Sequence, residues 1–594
     1  MRAATGFTPA RMVQLGLYAV GLMWTLPFLV PLKAPPVPSF HAEALAAVLG
    51  LIAMSALPAF AGRLEFPRVG LLLLGFTALI LLQMLLGRVP YRQVGLLAAL
   101  YLLWATGLAM LGALLRRELG LERVATTLAW FLVAGTVASA LIGWTQHIQS
   151  DALAWLMMPR SPDRVWANLG QANQLADYLS LGLVSAAYLY ASGRLPRRWA
   201  ALAGLVLAYV LGLTGSRTAW LYLVGLLALS LVFWRSDRSR SNERLLVFLV
   251  LALAACIVLP WLDGLLLESN LATAGSRLGM GEPAMEERPQ IWRAALSMFL
   301  DSPLIGVGFR QFGWRHFELN GQAPEPRVQG LTDNAHNLPL HVMAEFGLAG
   351  AVLLGLFAAL WIAGLVRQPR TPGYWWLWSV VLVIAVHSML EYPLWYTFFL
   401  GVAAVVLGLG EQRGIVLQLG HQGRSGRLLL VALLLLGWLA TAQLVRDYLV
   451  LENFLAFRYR YIHASEAVNR QAKEVLLEVH RSSLLAQYVE LGLARTISVD
   501  PERLNDKLAV NGRAMRLFPI DDLTYRQAML LALSGEQTAA RRQWDLAVAS
   551  YPELRRDALL VIQRRVEDGL TDLRPLLEHA EKMKQSQSVE GGAN

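Results

Sequence analysis

The chain has 594 residues, of which 56% are hydrophobic and 16% charged, and its mean hydropathy is +0.46, too apolar for a water-soluble protein of this length. The single cysteine, Cys256, lies in an apolar run, which excludes an intrachain disulfide and a cysteine-based metal cluster. The net charge of +10 does not signal nucleic-acid binding, because the arginines fall mostly in short loops between apolar runs.

In chain order, Met1 to Leu32 has no small-residue cleavage site after its apolar core and reads as a retained first span. Runs of about 20 apolar residues, the length that crosses a bilayer core, place spans at 11–31, 42–62, 69–87, 94–115, 125–146, 174–193, 197–214, 218–234, 245–264, 336–366, 375–390, 394–410 and 428–449. The fold class expected is all-α: a polytopic membrane protein of about 13 transmembrane helices. The expected domains are an N-terminal membrane part, 1–264, a large loop with an amphipathic helix, 265–335, a second membrane part, 336–449, and a soluble helical domain, 450–594.

Alternate loops are arginine-rich, among them "RRELGLER", "GRLPRR", "RSDRSRSNER" and "VRQPRTPG", whereas "GRVPYR" and "EYP" are poorer. The positive-inside rule puts the arginine-rich set in the cytoplasm, and the 265–335 loop and the C-terminal domain on the other face. From 450 onward, charges alternate with apolar residues at helical spacing, and the segment closing on "SYP" looks like a degenerate helix-turn-helix repeat of tetratricopeptide type. The tail "QSQSVEGGAN" reads as disordered.

Polar groups at membrane depth default to functional candidates. In "NLGQANQLADYL", Asn168, Gln171, Asn173 and Gln174 stand at the entry to a span, able either to bind sugar hydroxyls or to cap the helix. In "TGSRTAW", Arg217 sits in a tight turn, and the alternative to a functional role is snorkelling to the interface. "EERPQIWRAALSMFLDSPLIGVGF" is an amphipathic helix bearing Arg288 and Arg293, closed by a Pro and Gly turn, and suited also to lying on the bilayer. "VHSMLEYPLWYTFF" brings His387, Glu391 and Tyr392 to an outer turn, where a His387 to Glu391 hydrogen bond is the plain structural alternative.

"LTDNAHNLPLHVMAEFG" places His336 and Asn337 at the start of a long span, with His341 and Glu345 deeper. Glu345 lies two and a half turns from His336, on the opposite face at about 3.6 residues per turn, and reads as packed against another helix. Transfer from a lipid diphosphate to a hydroxyl would use such groups. Guanidinium stabilises the leaving diphosphate bidentately, and an imidazole with a pKa of about 6.5 serves as base at neutral pH. "GYWWLW" reads as an interfacial aromatic belt.

Taken together, "GQANQLADYL", "GSRTAW", "ERPQIW", "AHNLPLHVMAEFG" and "HSMLEYPLWY", followed by a soluble helical domain, resemble the bacterial O-antigen ligase and polymerase superfamily, and within it the protein O-oligosaccharyltransferases. The resemblance implies a GT-C-like inner-membrane glycosyltransferase working at the periplasmic face. Its donor would be an undecaprenyl-diphosphate-linked glycan, and it would need no metal or other cofactor. Arg217 and Arg288 would hold the diphosphate and His336 would act at the acceptor hydroxyl, with inversion at the anomeric carbon. Asn168, Gln171, Asn173, Gln174, Asn337, His387, Glu391 and Tyr392 are the substrate-binding candidates. Three acceptors stay open: a Ser or Thr hydroxyl of an exported protein such as a pilin, the lipid A core, and a second lipid-linked repeat unit. The C-terminal domain favours the first. A transporter is the remote alternative, disfavoured because the candidates gather on one face.

Overall fold

The computed structural model describes residues 8–161, 164–266, 283–323, 327–411, 414–416, 423–460, 474 and 476–590. Side chains are described at all of these except 283–286, 416, 455–460 and 583–590. The protein is an all-α polytopic membrane protein. Among the described residues, nine helices are long and apolar enough to cross a membrane, and the strands are the two-residue pair Glu65–Phe66 and Ile415–Val416, antiparallel. Each of the thirteen apolar segments read from sequence falls on a helix; those at Ala172–Ala191, Arg197–Leu213, Pro372–Ser388 and Thr397–Gly410 are outside the nine.

The chain forms two compact units. The first comprises 1–77, 100–281 and 353–445. At its centre runs the helix Ala172–Ala191, in which every residue except Asn173 and Tyr190 is buried. Small residues make this possible, because each missing side chain lets a neighbouring helix approach: Gly182 fits against Thr136, and Gly135 against the Tyr178 hydroxyl. The helices Leu121–His147, Arg197–Leu213 and Pro372–Ser388 pack round it. Phe28 stacks on Tyr178 with ring centroids 4.1 Å apart, and each such buried side chain contributes about 1.5–3 kcal/mol.

The aromatic belt expected at "GYWWLW" is corrected by this packing. Trp375 and Trp376 are fully buried; their indole N–H groups donate to Ser230 Oγ at 2.9 Å and Ser185 Oγ at 3.1 Å. The helix they begin is enclosed by Ala172–Ala191, Thr218–Ser236 and Thr397–Gly410, so its first turn faces protein.

The second unit comprises 78–99, 282–352 and 446–594. In the amphipathic helix Pro283–Asp301, Ile291, Ala295 and Met298 recur at helical spacing and pack on Phe312, Val328, Ala335 and Ala344. The span expected from 336 is interrupted. The helix Leu338–Val366 breaks at Gly347, whose φ of 62° and ψ of −154° suit glycine alone. The backbone groups freed by the break are satisfied by the turn after Asp301: Val307 and Gly308 donate to Ala344 O (2.9 Å) and Glu345 O (3.2 Å), and Leu348 and Ala349 donate to Pro303 O (2.7 Å) and Leu304 O (3.0 Å).

Toward the C-terminus, consecutive helices Leu504–Leu517, Asp521–Leu533, Gln537–Ser550 and Arg555–Glu567 precede a last one, Arg574–Glu590. Their core holds Tyr525 edge-on to Trp544 at 4.9 Å, with Ile562, Leu573 and Leu576 beside them. The last helix takes in 585–590, residues read from sequence as disordered, because it propagates from a preceding turn already anchored by Leu573 and Leu576. The final four residues of that tail, and 267–282 of the large loop, lie outside the described residues.

Candidate active site

In the first unit, three of the sequence motifs meet at the N-terminal end of the central helix. Gln171 is its N-cap, and its side-chain oxygen accepts the Gln174 N–H at 2.5 Å. Asn168 is completely buried and donates its amide to Phe28 O. Of the two uses open to these amides, capping and turn support account for Gln171 and Asn168. Asn173 bridges the other motifs: its Oδ1 accepts from Ser216 Oγ at 2.8 Å, and its Nδ2 donates to Glu391 Oε1 at 2.9 Å. Ser216 precedes Arg217, which is the half-buried N-cap residue of Thr218–Ser236. The preceding Gly215, at φ 61°, makes the turn. Gln174 hydrogen-bonds Tyr396, which also bonds Tyr392 and stacks on it at 6.0 Å.

One helical turn deeper lies a residue that the sequence reading missed. Asp177, four after Asn173, pairs with His387 Nδ1, and both are fully enclosed. The expected His387 to Glu391 side-chain bond is therefore replaced by two cross-helix contacts, His387 to Asp177 and Glu391 to Asn173. The physical reason is spacing: Asp177 lies one helical turn after Asn173, and Glu391 lies in the turn just past the other helix, its N–H bonded to His387 O at 2.8 Å, so the two contacts stack as layers. The signal was present in "QANQLADYL", an acid one turn below an amide.

In the second unit, His336 is not helical. It stands at φ 48° ahead of a helix that begins at Leu338. Its backbone N–H is held by Asn334 Oδ1 at 2.8 Å, and Asn337 caps the helix by accepting the Leu340 N–H at 3.1 Å. His341 supports the loop, its Nδ1 3.4 Å from the Ala335 nitrogen and its ring 5.2 Å from Phe312. Its Nε2 faces Glu345 at 3.4 Å. Glu345, fully buried, also accepts the Phe312 N–H at 3.1 Å, consistent with its reading as a packed residue.

Arg288 lies half-buried on Pro283–Asp301, with Arg293 exposed. One turn beyond Arg288, on the same face, Trp292 donates its indole N–H to Ala335 O at 3.0 Å. This bond ties the arginine-bearing helix to the residue before His336. Beside Arg288, burial pushes the Glu287 carboxyl up, and the Gln329 N–H pulls it back only in part. Arg310, another residue the sequence reading passed over, pairs with Asp333 at 3.2 Å and so holds the loop leading to His336. Burial opposes its charge, but Asp333, Tyr488 and Glu345 outweigh it and hold the guanidinium above its ordinary value.

Each unit thus presents an arginine beside a turn braced by hydrogen bonds, and the second adds an imidazole. Family models match across these groups. A protein glycosylation ligase model matches residues 165–190, which include the amides and Asp177. An O-antigen ligase model matches 201–355, which include Arg217, Arg288 and His336. The C-terminal model of the virulence factor membrane-bound polymerases matches 375–563, which include His387, Glu391 and Tyr392. In these three stretches the chain is similar to the O-antigen ligase and polymerase superfamily. Two similar proteins come from Acinetobacter baylyi. One, named a general O-oligosaccharyltransferase, is 27% identical over 414 residues, 68% of this chain and 71% of the relative. The other, named a ComP-specific O-oligosaccharyltransferase, is 25% identical over 285 residues, 47% of this chain and half of the relative's length.

Proposed function

We propose that this protein is a protein O-oligosaccharyltransferase. It moves a glycan from an undecaprenyl-diphosphate carrier to a Ser or Thr hydroxyl of an exported protein such as a pilin. It does so in the bacterial inner membrane, through about 13 spans, with the site and a tetratricopeptide-like C-terminal domain on the periplasmic side. The observation that carries the reading is the Trp292 to Ala335 bond, which sets a guanidinium helix and an imidazole in one frame, in a chain similar to two proteins named O-oligosaccharyltransferases.

In this reaction the acceptor oxygen attacks the anomeric carbon on the side away from the diphosphate. The bond from that carbon to the diphosphate oxygen breaks, the hydroxyl proton passes to a ring nitrogen of His336, and the configuration inverts. Negative charge growing on the leaving diphosphate is met by Arg217 and Arg288. Asn173, Gln174, Glu391 and Tyr392 shape the donor turn, and Asn168, Gln171 and His387 hold its supports in place; Asn337 caps the helix that follows His336.

The matches to ligase and polymerase models favour a second reading, with a lipid-linked sugar as acceptor. Expression with a lipid-linked glycan supply, a pilin-like protein and lipid A core separates the two. Sugar mass on a Ser or Thr of the protein is the expected result, lost in a His336→Ala chain that still inserts. Sugar on lipid A core or on a growing polymer, with none on protein, would overturn the proposal.

A further inference from the structure

The arginine-rich connections "RRELGLER", "GRLPRR" and "VRQPRTPG" have no part in the proposed reaction, yet in the first unit they border one cavity of about 730 Å³. Arg123, Arg194, Thr126, Thr127 and Tyr374 line it, together with Glu122. Its place in the fold is defined by two helices. Ala172–Ala191 carries Asn173 and Asp177 at its start and leads to Arg194 past its end; Pro372–Ser388 starts beside the cavity and ends at His387. Twenty residues of helix span roughly 30 Å, the thickness of a bilayer's hydrocarbon core. The cavity therefore sits at the opposite membrane face from the Arg217 turn.

Its chemistry suits an anion. Arg123 and Arg194 are exposed, and among the described residues neither has a carboxylate partner. The acid in the lining is engaged at one oxygen: Glu122 Oε2 accepts the Tyr188 hydroxyl at 2.8 Å, and Gly373 packs against the same carboxylate. The helix Leu121–His147 opens here with no side-chain cap, behind Gly120 at φ 77°. Its first N–H groups, unpartnered within the helix, add positive character. Along the same helix face, one and two turns beyond Arg123, come Thr127 and then the exposed Trp130. Polar lining thus passes directly into lipid-facing apolar surface, which is what a headgroup with attached acyl chains requires and a free anion does not.

We propose that this cavity binds the phosphate headgroup of an anionic glycerophospholipid, with the acyl chains lying along the Trp130 face. Basic pockets between membrane helices on an arginine-rich face recognise such headgroups. The assignment is independent of the transfer reaction.

The test uses the intact chain in a neutral detergent, with native mass spectrometry reading retained lipid. Phosphatidylglycerol is expected to be held about tenfold more tightly than phosphatidylcholine. Arg123→Gln with Arg194→Gln is expected to abolish that preference while leaving the melting temperature in lipid-free detergent unchanged. If the double variant fails to fold, Arg194→Gln alone is read, and Arg194→Lys is expected to restore most of the preference. Equal retention of the two lipids, or an undiminished preference in the folded variants, would overturn the proposal. Displacement of phosphatidylglycerol by millimolar inorganic phosphate would overturn the lipid assignment in favour of a free-anion site.

Discussion

Asp177 and His387 join two helices through one contact in the interior of the first unit. The Asp177 carboxylate is fully buried, and its second oxygen, Oδ1, has no hydrogen-bond partner among the described residues. Removing one member of a buried hydrogen-bonded pair leaves the other unsatisfied, at a typical cost of about 1–3 kcal/mol and more if the group left is charged. Asp177→Ala is therefore expected to lower the melting temperature of the detergent-purified protein markedly. Asp177→Asn, which keeps the shape and an acceptor oxygen, should lose less. An alanine variant melting with the wild type would remove the pair from the list of stabilising contacts. Sequence alone named His387 but gave it the wrong neighbour, because the nearest acid in sequence, Glu391, is one turn away, whereas the acid nearest in space is 210 residues distant.

At the scale of the element, the decisive feature is the break at Gly347. A Cβ there would stand 2.6 Å from the Gly306 nitrogen and from the Leu304 carbonyl carbon, which are backbone atoms with no freedom to move aside. Gly347→Ala combines that clash with a forbidden φ and is expected to destabilise by on the order of 3 kcal/mol. Gly355→Ala, on the same helix with open space around it, should be neutral or slightly stabilising. Limited proteolysis and thermal melting of the two variants compare them directly, and equal behaviour would show that the break tolerates a side chain. The apolar run containing Gly347 was plain in the sequence. The break was not, since an isolated glycine in a membrane helix is common, and only its partner turn at 303–308 reveals its conformation.

For the whole molecule, acid sensitivity is expected to include a contribution from His316, which lies outside the spans in the helix Phe312–Asn320. Burial pushes its pKa from the usual 6.5 down to about 4, and its ring stacks on Phe312 at 6.3 Å. Between those two values the unfolded chain takes up a proton that the folded chain refuses. Stability from this group is therefore complete above pH 6.5 and falls as the pH drops toward 4, by about 2 kcal/mol between pH 7 and pH 5. Melting curves over that range should fall more steeply for the wild type than for His316→Phe, and parallel slopes would exclude His316 as the source.

The sequence by itself determined the class of the protein. Long apolar runs admit only membrane helices, since lipid offers no partner for unpaired backbone groups, and the motif set pointed to a superfamily that the comparisons bear out. It also singled out Arg217, Arg288 and His336, because charged and titratable side chains at membrane depth are expensive and so stand out. Tertiary structure alone decided who touches whom: Asn173 between Ser216 and Glu391, Asp177 on His387, Trp292 on Ala335, and Trp375 inside the bundle where a lipid interface was expected. The physical reason is that hydropathy reports whether a residue leaves water, and protein interior and lipid score alike on that measure. Only packing tells them apart.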